Sequence, residues 1–61
     1  MHLNSHEGQE INMVMEGRLL LIIDGKDIIL NEGDSLYFDS TKPHGMQALD
    51  GKTVKFLAII M

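Results

Sequence analysis

Apolar and polar positions alternate with a period of two along much of this chain, and no stretch carries helical periodicity. Residues 10–16 place Ile11, Met13 and Met15 on one face and Glu10, Asn12, Val14 and Glu16 on the other, which predicts a strand ended by Gly17. Leu19 to Ile23 and Lys26 to Leu30 flank Asp24-Gly25, the signature of a two-residue hairpin turn that needs positive φ. Asn31 to Asp34 reads as the next turn, followed by a strand from Ser35 to Phe38 with Leu36 and Phe38 inward and Tyr37 outward. Asp39 to Pro43 then reads as a loop, with Pro43 keeping the approach to His44 extended or turned. His44 to Leu49 and Thr53 to Ile60 read as a last hairpin around Asp50-Gly51. About six short strands spaced roughly 8–12 residues apart predict an all-β, antiparallel unit of sandwich or barrel type.

Length changes the picture. With 61 residues the chain holds one domain at most, and so short a chain buries too little surface to be more than marginal alone. It has no cysteine, so neither a disulfide framework nor a thiolate zinc site can compensate. In Leu19 to Ile23 both faces are apolar, Leu19, Leu21 and Ile23 on one and Leu20 and Ile22 on the other. An antiparallel strand with one wet face should alternate instead. The outer face is therefore expected to be covered, by a second subunit (most simply as a homodimer) or by further sequence. The five methionines read as adaptable core filler.

Charge excludes some functions. The net charge is −4, and the five basic residues are scattered at 18, 26, 42, 52 and 55, which gives no patch to neutralise phosphates. No nucleic acid is expected on this segment. The longest apolar run is far too short to span a bilayer, and no secretory signal precedes it, so a cytoplasmic location is the default expectation.

Candidate chemistry lies near the start, in His2-Leu3-Asn4-Ser5-His6-Glu7-Gly8-Gln9-Glu10. On a helix, His2, His6 and Glu10 would stack at i, i+4 and i+8, but Gly8 and Asn4-Ser5 disfavour one. In one straight strand His6 and Glu10 would share a face roughly 13 Å apart, too far to share an ion. A turn at Glu7-Gly8-Gln9 would let them meet from adjacent strands. His2 reads as a terminal surface residue, and Asp24, Asp34 and Asp50 as turn formers.

The same residues resemble the first motif of the cupin superfamily: His-x-His, three or four residues, Glu, six residues, Gly. Here His6, Glu10 and Gly17 match in spacing, while Asn4 stands where the first motif histidine would be. Gly33 and His44 match the second motif in separation. Asp39, Thr41 and Ala48 depart from it, standing where the family has Pro, Gly and Asn. Glu16-Gly17, Asp24-Gly25, Gly33-Asp34-Ser35 and Pro43-His44 also look like the cupin core, so the likeness spans nearly the whole chain. His6-Glu7-Gly8-Gln9-Glu10, Gly33 to Ser40 and Pro43-His44-Gly45 are further similar to cupin domains fused behind lambda-repressor-type helix-turn-helix domains in bacterial regulators.

The resemblance implies a small antiparallel cupin-type (jelly-roll-like) barrel. Complete cupins of that kind have strands before the first motif, so an N-terminally incomplete domain, completed by a partner or by further sequence, is expected. It also implies a pocket where His6, Glu10 and His44 converge, lined further by Asn4, Asn12, Phe38 and Met46. Two histidines and a carboxylate suit Fe, Mn, Zn or Ni as divalent ions with open positions. An alternative is a polar pocket for an organic effector without metal. Any bound metal would require neutral imidazoles, so acidification should release it. In function, the resemblance implies an effector-sensing and dimerisation module of a transcriptional regulator. A small metal-dependent dioxygenase or isomerase is the competing reading.

Overall fold

The computed structural model describes residues 3–61, so His2 lies outside the described residues. Among these the chain forms six strands in two antiparallel sheets. They are β1 (Gln9–Glu16), β2 (Leu19–Ile23), β3 (Lys26–Leu30), β4 (Ser35–Asp39), β5 (His44–Ala48) and β6 (Lys55–Ile60). One sheet runs β4-β1-β6 and the other β3-β2-β5. Only β2 and β3 are joined within a sheet; each other connection crosses to the opposite one, as in a jelly roll. The all-β barrel-type architecture is thus as the strand pattern predicts. Among the described residues no helix is long and apolar enough to cross a membrane.

The β2–β3 turn adopts the expected geometry, with φ of 50° at Asp24 and 80° at Gly25. Both central residues therefore occupy the positive-φ region that a type I′ turn requires. The register that follows sets Leu19 opposite Leu30 and Leu21 opposite Ile28. Leu19, Leu21, Leu30 and Val14 are fully buried, with Ile23, Ile28, Leu36, Met46 and Val54 packed around them. Leu36 and Phe38 turn inward and Tyr37 outward.

The Asp50-Gly51 segment departs from expectation. It makes a tight turn, closed by a hydrogen bond from Lys52 N to Leu49 O, yet β5 and β6 do not form a hairpin. β5 pairs with β2, whereas β6 pairs with β1. The corner between β1 and β2 holds the crossing: Leu49 N donates to Arg18 O, and the Arg18 guanidinium grips the Asp50 carboxylate through two hydrogen bonds of 2.8 and 2.6 Å. A turn signal sets the local reversal; which strand each arm then joins depends on partners distant in sequence.

The inward face of β1 is its more polar one. Glu10, Asn12 and Val14 are buried, while Met13 and Met15 are exposed, as is Met61. Met46 packs against the core, but these other three are not core filler. The reason is the site: strand alternation gives Glu10 and Asn12 one common face, and putting that face inside turns Met13 and Met15 out. The outer face of this sheet then carries Met13, Tyr37, Leu57 and Ile59 in register around Ile11.

Candidate metal and ligand site

Three separate segments deliver the site. Glu10 stands on the inner face of β1, opposite Phe38 of β4 and Ile60 of β6. His44 opens β5, where Asn4 pairs with it through two backbone hydrogen bonds, Asn4 N to His44 O and His44 N to Asn4 O. His6 follows two residues later and is tied by its own N–H to Ser40 O. Between His6 and Glu10 the chain bends at Gly8, with φ of 105°, while residues 4–9 stay antiparallel to residues 39–44. A Cβ on Gly8 would sit 2.0 Å from the carbonyl oxygen of Met61, so only glycine fits this bend. The segment is neither a helix nor a straight strand, and the expected turn is only a bend: His6 and Glu10 lie on one continuous run beside residues 39–44 rather than on adjacent strands.

The side chains meet at a single carboxylate oxygen. Glu10 Oε1 lies 3.3 Å from His6 Nε2 and 3.7 Å from His44 Nε2. The two imidazoles stand edge to face, their centroids 5.3 Å apart at 81°. One ligand atom from each of His6, Glu10 and His44 lies within 4.8 Å of the others.

Hydrogen bonding on the far side of each ring sets the chemistry of the near side. His44 Nδ1 is 2.8 Å from Lys42 O, and His6 Nδ1 is 3.3 Å from Glu7 O. A carbonyl oxygen only accepts, so each Nδ1 carries the hydrogen and, in the neutral ring, Nε2 presents its lone pair. Two lone pairs and a carboxylate oxygen then converge with no hydrogen between them. That arrangement is repulsive unless a metal ion lies there or a second proton sits on an Nε2. Charge-assisted N–H···O bonds run about 2.7–2.9 Å, shorter than either contact. Donors bound to a zinc-like ion at about 2.0–2.2 Å stand roughly 3.0–3.5 Å from one another, a range that the His6–Glu10 contact meets and the His44–Glu10 contact slightly exceeds. The donor set therefore fits a divalent ion, and His6, Glu10 and His44 could hold one.

Around the trio lies a cavity of about 540 Å³, lined by Asn4, Ser5, Gly45, Met46 and Ile60 as well. Asn4 and Met46 stand where the sequence expects them. Asn12 and Phe38, also expected in the lining, lie behind it instead. Asn12 is fully buried and donates from Nδ2 to Glu10 Oε2 at 2.8 Å. Phe38 sets its ring edge-on to His44, with centroids 5.0 Å apart at 65°. Ser5, Gly45 and Ile60 are lining residues that sequence reasoning misses. The signal for Gly45 is its place directly after His44; Ile60 enters only because β6 pairs with β1, which no local pattern reveals.

A family model described as a cupin domain matches residues 1–60. No curated protein and no solved structure matches the chain.

Proposed function

The chain belongs to the cupin family, and from that premise we propose that it is the effector-sensing and dimerisation module of a bacterial transcriptional regulator, with its pocket built around His6, Glu10 and His44. The observation that carries a binding role is the composition of the cavity wall. Beyond the trio, the described lining consists of Asn4, Ser5, Gly45, Met46 and Ile60, with no further acid or base to move protons on a substrate. Amide, hydroxyl and apolar groups around one polar focus suit a small molecule held in a fixed orientation. The helix-turn-helix association rests on the resemblance of Gly33 to Ser40 and of Pro43-His44-Gly45 to such regulators. A small molecule that binds the purified protein and changes the DNA affinity of the full-length parent supports this reading. A parent gene encoding no DNA-binding domain refutes it.

The converging lone pairs favour a second reading, a small metal-dependent enzyme of dioxygenase or isomerase type. His6, Glu10 and His44 would hold the ion, and the ion would supply Lewis acidity at its open positions. The chain's own residues would fix the donors and shape the entrance, Met46 and Ile60 giving it an apolar side. Turnover that His44→Ala abolishes while the fold persists would favour the enzyme over the sensor.

A further inference from the structure

We propose that Asn12 is a positioning residue that locks Glu10 as a one-oxygen ligand, a role that rests on the metal-binding reading of the site. Asn12 Nδ2 donates to Glu10 Oε2 at 2.8 Å, leaving Oε1 as the oxygen that faces both histidines. The amide orientation is fixed by chemistry: an ionised carboxylate only accepts, so the atom beside Oε2 is the NH2 group. Without that donor the carboxylate is free to turn about its last torsion, which is broad, and to offer either oxygen or both.

A purely structural role for Asn12 fits the surroundings poorly. The residue is fully buried, and its Oδ1 has no hydrogen-bond partner. Its neighbours across the strands are Leu36 and Ala58, which bring no side-chain donor. A buried unpaired carbonyl oxygen is destabilising, so stability alone would favour an apolar residue here. What the amide gives in return is the bond to Glu10. A carboxylate held to one oxygen keeps the protein's share of the coordination shell at three donors and leaves the remaining positions to a ligand from the cavity. Outer-shell partners that orient metal ligands this way commonly influence affinity by about 10–100-fold.

Cobalt(II) titrations read the role directly, through the visible spectrum of the ion, on the wild type, Asn12→Leu, Glu10→Ala and the double variant. The expected results are uptake by the wild type, a loss of about 10–100-fold in Asn12→Leu with an altered spectrum, and no further loss when Asn12→Leu is added to Glu10→Ala. That last result separates action through Glu10 from general damage to the fold, which would weaken both backgrounds alike. Asn12→Leu binding within about twofold of the wild type, or a penalty that persists undiminished in the Glu10→Ala background, overturns the proposal. Should Asn12→Leu lose its β-sheet circular dichroism, Asn12→Val carries the same comparison, since it favours a strand and likewise lacks the donor. A wild type that takes up neither cobalt(II) nor zinc(II) overturns the metal reading itself, and this role with it.

Discussion

His44 Nδ1 and the carbonyl oxygen of Lys42 stand 2.8 Å apart, so the imidazole is fixed by its own strand entry, with Nε2 aimed at Glu10. The ring is fully buried, and Phe38 braces it edge-on. Its removal should act on the ion before the fold. His44→Ala is expected to lower divalent-metal affinity by more than the roughly 10–100-fold typical of an outer-shell loss, because a donor disappears outright. Equilibrium dialysis with zinc(II) checks this, alongside circular dichroism to verify that the strands remain. Unchanged metal uptake in a folded His44→Ala protein would remove His44 from the site.

Gly8 gives the second prediction. Alanine there meets both a positive φ of 105° and the Met61 carbonyl, at 2.0 Å from its Cβ. At Gly25 φ is also positive, but open space surrounds the added methyl. Gly25→Ala should therefore cost about 1–2 kcal/mol, from the left-handed backbone alone. Gly8→Ala should cost more and should also weaken metal binding, since the bend carries His6 over Glu10. Urea denaturation of the two variants decides the order. Equal losses would mean that the approach of Met61 to Gly8 relaxes freely.

These two glycines mark what the sequence can and cannot reveal. The local signals are reliable: Asp24-Gly25 announces its turn and Leu36, Tyr37 and Phe38 alternate as they should, while the cupin-motif resemblance anticipates the meeting of His6, Glu10 and His44. What stays hidden depends on pairing between distant strands. Counting apolar residues along β1 favours burying Ile11, Met13 and Met15, yet Glu10 and Asn12 occupy the interior because they serve the site. Likewise Asp50-Gly51 marks a true turn, but the partners of its two arms are β2 and β1. Ile60 joins the cavity wall only through that second pairing.

The corner that separates β5 from β6 should make stability acid-sensitive. The hydrogen bonds from Arg18, followed by the charges of Arg18 and Lys52, hold the Asp50 carboxyl below its ordinary value of 3.8. Asp39 is lowered too, chiefly by the Thr41 hydroxyl and then by its backbone N–H. A carboxyl whose pKa is depressed by folding adds stability above the unfolded value, and that stability is lost as pH falls through the folded one. Asp50→Asn removes the charge while asparagine tolerates the positive φ of 61° at this position. The variant should differ little from the wild type near pH 2. It should be measurably less stable at pH 6, though modestly, since the pair is exposed and screened by solvent. Thermal melts at the two pH values, repeated in high salt, give the test; a deficit in Asp50→Asn that is as large at pH 2 as at pH 6 would assign the effect to turn geometry instead.

Self-association is the last prediction, and it follows from the outer face of the β4-β1-β6 sheet. Met13, Tyr37, Leu57 and Ile59 are all exposed there, and β1 sets Ile11 opposite both Tyr37 and Ile59. On a chain this small, such an apolar surface is where association is expected. A homodimer would bury it by applying one patch to its own copy about a two-fold axis. Ile59→Lys places a charge within that patch, beside Ile11, while its neighbours Ala58 and Ile60 keep facing the other way. Sedimentation equilibrium on the wild type is expected to give twice the chain mass, and Ile59→Lys the mass of one chain with its β-sheet signal intact. A wild type that sediments as a folded single chain at high micromolar concentration would overturn self-association and the covered-face argument with it.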